Sequence, residues 1–201
     1  MTPRELAEHE GKPIALAWIA SAEAALLVPG DALTLASLAA NFAWPRLAPD
    51  EQRRFVEGIA ATYGLVRSVL ERSAARFADV SERGARALFV GDGDIPPAYA
   101  IYGDRVYFTP RFARYDPAAK RGFGPKCRAA MVLHESVHLC DPRSGEASLH
   151  ISEWDEPRFS GLAPEEAVHN PSAYASFAAQ VHHRQLEWPV EARFGAGNRG
   201  L

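Results

Sequence analysis

Cysteine is scarce in this chain of 201 residues: Cys127 and Cys140 are the only two. A helix between them would hold them about 20 Å apart. A disulfide needs Cα atoms within about 7 Å, so a disulfide-stapled scaffold is excluded and two free thiols, suited to a reducing compartment, are expected. Long apolar runs are missing too. None reaches the roughly 18 residues of a membrane span. Nor is there an excess of one charge. Lys and Arg number 22 against 25 Asp and Glu, a net charge of −3, which implies neither nucleic acid nor an anionic membrane as partner. Internal repeats and low-complexity tracts are absent. What remains, 47% hydrophobic and 23% charged residues, suits one globular domain over 1–201 whose core needs no staples.

The segment Ile14–Ile19 followed by Ala20-Ser21-Ala22 imitates the apolar region and cleavage site of an export signal. Its flank argues otherwise, because Glu5, Glu8 and Glu10 outnumber Arg4 and Lys12 where a signal peptide is positive. The apolar pattern also continues through Ala24, Leu26 and Leu27. The reading is a buried alanine-rich helix in a leaderless chain, either cytoplasmic or exported by a signal-independent route.

Helices are expected at 13–28, stopped by Pro29-Gly30, and at 32–42 behind an Asp31 cap. A third, capped by Asp50, should run to about Phe77, with Phe55, Ile59, Tyr63, Val66, Val69 and Leu70 at helical spacing. Residues 1–80 thus form a helical layer. The β-prone runs Tyr99–Tyr102 and Val106–Phe108 around Gly103-Asp104 read as a hairpin or a pair of short strands. Asp92 and Asp94 lack the spacing of a calcium loop and read as a solvated turn. Pro125 suits the first position of a helix that is apolar on nearly every face from Cys127 to Leu139, hence buried. A polar loop occupies about 141–163. Asn170-Pro171 opens a last helix with Tyr174, Phe177, Ala178 and Val181 along its stripe. A second region covers about 95–187, and the glycine-rich tail 188–201 should fray.

Inside the buried helix stands His134-Glu135-Ser136-Val137-His138, an H-E-x-x-H sequence. Residues four apart share a helical face, so both imidazoles reach one metal ion. Glu135 is rotated off that face, where it can contact a metal-bound water and serve as general base. Chance occurrence of the pattern in such a composition is on the order of 1%. Two histidines and a glutamate in an apolar helix also require partners, and a Zn2+ ion supplies them. A catalytic site needs a third ligand. Metzincins place a histidine six residues past the second, where this chain has Ser144. The candidates are acids and a histidine of the following loop: Glu146, His150, Glu153, Asp155 and Glu156. Asp155 is favoured, with Glu153, Glu156 and His150 as alternatives.

Three blocks together resemble the aspzincin metallopeptidases, the family of deuterolysin and the peptidyl-Lys metalloendopeptidases. They are Val106–Phe112, Val132–His138 and Asn170–Phe177, in the family's order. The resemblance implies a mostly helical α+β, zincin-like fold with a small sheet beside the active-site helix. It also implies an aspartate as third ligand, for which Asp155 is the nearest match. The family's Gly-Thr pair and loop tyrosine have no counterpart here. Tyr174 is the candidate oxyanion donor, although a buried core tyrosine is the plainer reading, and Asn170 reads as a helix cap.

The function expected is therefore zinc-dependent endopeptidase activity on a peptide or protein substrate. An exposed edge strand at about 105–109 would hold the substrate by main-chain pairing. The alternatives are a catalytically inactive zinc-stabilised interaction module and a leaderless metallopeptidase effector or toxin.

Overall fold

The computed structural model describes residues 1–88, 95–116, 121–122, 124–152 and 155–187. It is a mostly helical α+β fold with a small mixed sheet. The first helix begins earlier than expected, as α1 (Pro3–Leu6). The Thr2 hydroxyl accepts from the Glu5 N–H, and the Glu5 carboxylate accepts from the Thr2 N–H. A π-helical turn (Ala7–Gly11) leads into α2 (Lys12–Leu27). Ala15, Trp18, Ile19, Ala22 and Leu26 are buried, as befits a core helix. Asp31 caps α3 (Ala32–Phe42) by accepting from the Leu33 and Thr34 N–H groups, as expected, and Ala43 closes it in the left-handed region at φ 50°.

The next helix, α4 (Pro49–Glu71), starts at a proline, which has no N–H to leave unsatisfied. The Glu51 carboxylate accepts from the Ala48 N–H at 3.2 Å, so the cap is not Asp50. The helix also stops short of Phe77. A brief α5 (Ser73–Arg76) intervenes, and Phe77 opens strand β1 (Phe77–Asp79) before α6 (Glu82–Leu88). Phe77 keeps the helical spacing of its predecessors, which disguises the change. Its ring meets Phe108 edge-on at 5.0 Å.

The expected hairpin forms from β2 (Ala98–Ala100) and β3 (Val106–Phe108), with Gly103 at φ 72° in the turn. Its edge differs from expectation. β1 pairs parallel with β3, Phe77 opposite Val106, giving the order β1-β3-β2. Strand 106–108 is therefore central, and β1 and β2 are the edges. Strands β4 (Tyr115–Asp116) and β5 (Arg121–Gly122) form a separate ladder. The turn at Asp92 and Asp94 and the tail at 188–201 lie outside the described residues.

Helix α7 (Pro125–Cys140) sits centrally against the π turn, α2, α4, β2 and β3 and the last helix, which explains its all-round apolar character. A Cβ on Gly11 would meet Val132 Cγ2 at 3.0 Å and the Arg128 carbonyl oxygen at 3.1 Å. The lack of a side chain there lets the first helix lie directly on α7. The nearly buried Arg128 pairs with Glu10 across the same contact. Beyond α7 come α8 (Glu156–Phe159), α9 (Pro164–Ala167) and α10 (Pro171–His183). Phe42, Tyr63, Tyr174 and Phe177 form an aromatic knot between α3, α4 and α10. Cys127 and Cys140 are not joined in a disulfide. Among the described residues no single helix is long and apolar enough to cross a membrane.

Candidate metal centre

Because α7 is regular through its H-E-x-x-H segment, His134 and His138 fall on one face, with ring centroids 5.1 Å apart. A third imidazole joins them. His150 lies 5.0 Å from the His134 ring and 4.9 Å from the His138 ring. One ligand atom of each residue lies within 4.8 Å of the others, and this trio is the metal-capable group among the described residues. Zinc–nitrogen bonds of about 2.0–2.1 Å in a tetrahedral site place ligand nitrogens roughly 3.3 Å apart. His134 Nε2 and His150 Nε2 are 2.9 Å apart, so a small outward shift of the rings accommodates such an ion.

Charge state also fits. Burial, reinforced by the proximity of the other two rings, holds His134 well below the ordinary imidazole range. Burial and His150 bring His138 down to about 4, and burial lowers His150. All three are thus uncharged near pH 7, the form in which imidazole binds metal. The outer ring nitrogens face hydroxyls: His138 Nδ1 lies 2.9 Å from Ser144 Oγ, and His134 Nδ1 lies 3.4 Å from Ser172 Oγ.

His150 reaches the pair from a loop, and the loop is held on both sides of it. The His150 N–H donates to the Glu146 carbonyl at 2.9 Å. Leu149 and Ile151 are buried, turning the residue between them the other way. Asn170 Nδ2 donates to the Ile151 carbonyl at 2.7 Å, while Asn170 Oδ1 accepts from the Ser172 N–H at 3.0 Å and caps α10. Asn170 is thus the helix cap expected, and a loop clamp as well.

The favoured sequence candidate lies elsewhere. Asp155 stands at the entrance of α8, where its carbonyl accepts from the Arg158 and Phe159 N–H groups and its carboxylate pairs with Arg158 at 3.1 Å. It does not belong to the histidine group, and the alternative His150 does. Glu146 pairs with Arg143 at 3.1 Å. Glu153 and the side chain of Glu156 lie outside the described residues. Tyr174 is 1% exposed. Its hydroxyl donates to the Val168 carbonyl at 2.9 Å and lies 3.3 Å from Thr62 Oγ1, and burial raises its pKa. The hydroxyl is committed to these two partners.

Glu135 is buried on α7, turned from the histidine face toward the sheet. It accepts a hydrogen bond from the Ala100 N–H, which partly offsets the burial that pushes its carboxyl up to about 8. The ladder explains why that N–H is free. Ile101 N–H bonds to the Arg105 carbonyl and Thr109 N–H to the Pro97 carbonyl. In this antiparallel register, residues of the opposite parity turn their polar groups outward, and Ala98 and Ala100 have that parity. The outer edge of β2 therefore meets the H-E-x-x-H helix at Glu135.

A cleft of about 360 Å³ lies beyond the C-terminal end of α7, lined among others by Arg54, Phe55, Asp141 and His169. The three clustered histidines do not line it. No family model, curated protein or solved structure matches this chain.

Proposed function

We propose that this protein is a zinc-dependent endopeptidase in which His134, His138 and His150 hold the ion and Glu135 is the general base. The reading is carried by one observation: three uncharged imidazoles converge at a central helix that also carries the buried Glu135. A bound Zn2+ would polarise the scissile carbonyl, acidify a water and, through its charge, draw the Glu135 carboxyl below its raised value. Glu135 takes a proton from the attacking water and returns it to the leaving amine. The Ala100 N–H orients that carboxylate. An extended substrate pairs with the outward groups of β2 that Glu135 does not use, the Ala98 N–H and the Ala98 and Ala100 carbonyls, which gives affinity with little side-chain preference. Such a site resembles the aspzincins in its helix and departs from them in its third ligand, a histidine in place of an aspartate.

The test is hydrolysis of casein by the purified chain, before and after treatment with a zinc chelator. Activity that the chelator abolishes and added Zn2+ restores is expected. Metal-replete protein that leaves casein intact would favour the second reading, an inactive zinc-stabilised interaction module. That reading rests on the Tyr174 hydroxyl, which is committed to Val168 and Thr62.

A further inference from the structure

His138 is useful to a metal only if its inward nitrogen carries a lone pair, and hydrogen-bond bookkeeping at the end of α7 decides the matter. Ser144 is fully buried. Its hydroxyl lies 2.6 Å from the main-chain oxygen of Asp141, which can only accept, and 2.9 Å from His138 Nδ1. A hydroxyl has one proton to give. With that proton on the Asp141 oxygen, Ser144 Oγ accepts from His138, so Nδ1 carries the imidazole proton and Nε2 is bare.

The corner that holds Ser144 is fixed on its other sides. Asp141 Oδ1 accepts from the Arg143 N–H at 2.9 Å, and the Ser144 N–H returns to the Asp141 carbonyl at 3.2 Å. His169 Nδ1 meets Asp141 Oδ2 at 2.7 Å, while Arg143 Nη1 meets His169 Nε2 at 3.0 Å. Guanidinium can only donate, so His169 also carries its proton on Nδ1 and donates it to Asp141. Each donor in the corner has one acceptor, and the direction of every bond is determined.

We propose that Ser144 is a positioning residue for the metal site, committing His138 to the Nδ1–H tautomer so that Nε2 faces the other two histidines. This rests on the metal-site reading above. Partners of this kind orient ligating imidazoles, and their loss typically costs 10- to 100-fold in metal affinity.

The test uses the full chain and two readouts. Long-range 1H–15N correlation spectra of the metal-free protein at pH 7.5 report which nitrogen of His138 is protonated. Titration with Co2+ reports affinity and, through its visible bands, coordination. Wild type should show the Nδ1–H form. Ser144→Ala should lose that preference and bind Co2+ 10- to 100-fold more weakly with altered bands, while Ser144→Thr, which keeps the hydroxyl, should restore both. A proton on Nε2 in the wild type overturns the proposal, as does Ser144→Ala binding Co2+ within twofold of wild type. Should the threonine methyl not fit the buried site, the wild-type tautomer and the alanine variant decide. Wild type that shows the Nδ1–H form and binds no Co2+ would instead sink the metal-site reading and leave the tautomer assignment standing.

Discussion

Asn170 donates to the carbonyl of Ile151 at 2.7 Å while capping α10, so the helix that lies against α7 also fixes the loop that carries His150. Both bonds are buried. Removing the cap costs about 1 kcal/mol, and orphaning a buried carbonyl costs about 1–3 kcal/mol. Asn170→Ala should therefore lower unfolding free energy by about 2–4 kcal/mol. Urea unfolding of the metal-free chain measures it, and a loss below about 1 kcal/mol would show that the clamp is not what holds the loop. Asn170→Asp keeps the cap but loses the donor, so it should weaken metal binding more than its stability loss suggests.

His150 and Asp155 give a direct contest over the third ligand. His150→Ala should remove stoichiometric zinc from the purified protein, because two histidines alone make an incomplete site. Asp155→Ala should leave zinc content unchanged and cost little stability, its carboxylate being a partly exposed partner of the exposed Arg158. The reverse pattern in elemental analysis would reinstate the aspartate.

These two residues also show how far the sequence could be read. The H-E-x-x-H pair, the proline that starts α7 and the Asn170 cap are local patterns, and local patterns survive folding. The position of His150 is not local. It depends on burying Leu149 and Ile151 and on a side chain from a distant helix, none of which has a spacing rule. Asp155 is the nearest match to the aspartate of the aspzincin pattern, yet an acid at the start of a short helix already has local partners. Strand β1 was hidden for a related reason. Phe77 fits the helical period, and only its pairing with Val106 gives it away. That pairing also makes β3 central, so the edge proposed to hold a substrate is β2.

Glu135→Gln should retain the fold and the metal and lose hydrolysis by at least about 10²-fold, since the amide keeps the shape but cannot take the proton. Equal zinc content in the two proteins is the control. Cleavage at the wild-type rate would remove Glu135 from the mechanism.

Gly11→Ala tests the seating of the first helix on α7. The added carbon would crowd Val132 Cγ2 and the Arg128 carbonyl, and the carbonyl is backbone that cannot rotate away. Overpacking of this kind costs about 1–3 kcal/mol. A thermal midpoint equal to that of wild type would mean that the π turn relaxes around the methyl group.

The metal-free chain should be most stable near pH 6–7, and the sign follows from two opposed shifts. The three histidines have lowered folded values, with His138 at about 4 against an ordinary 6.5. Between those limits the unfolded chain binds more protons, so stability rises with pH and the gain is complete above about 6.5. Glu135 runs the other way. Its folded value of about 8 exceeds the ordinary 4.5, so the folded chain holds the extra proton between those limits and stability falls as pH rises. Below about 6.5 three imidazoles oppose one carboxyl and the rise prevails. From there to about 8 only the Glu135 decline remains. Thermal midpoints measured from pH 4 to 9 in chelator should trace this maximum, and Glu135→Gln should flatten the alkaline side while leaving the acid side in place. An alkaline decline that persists in Glu135→Gln would assign it to another group and place the Glu135 carboxyl in a more solvated setting than its burial implies.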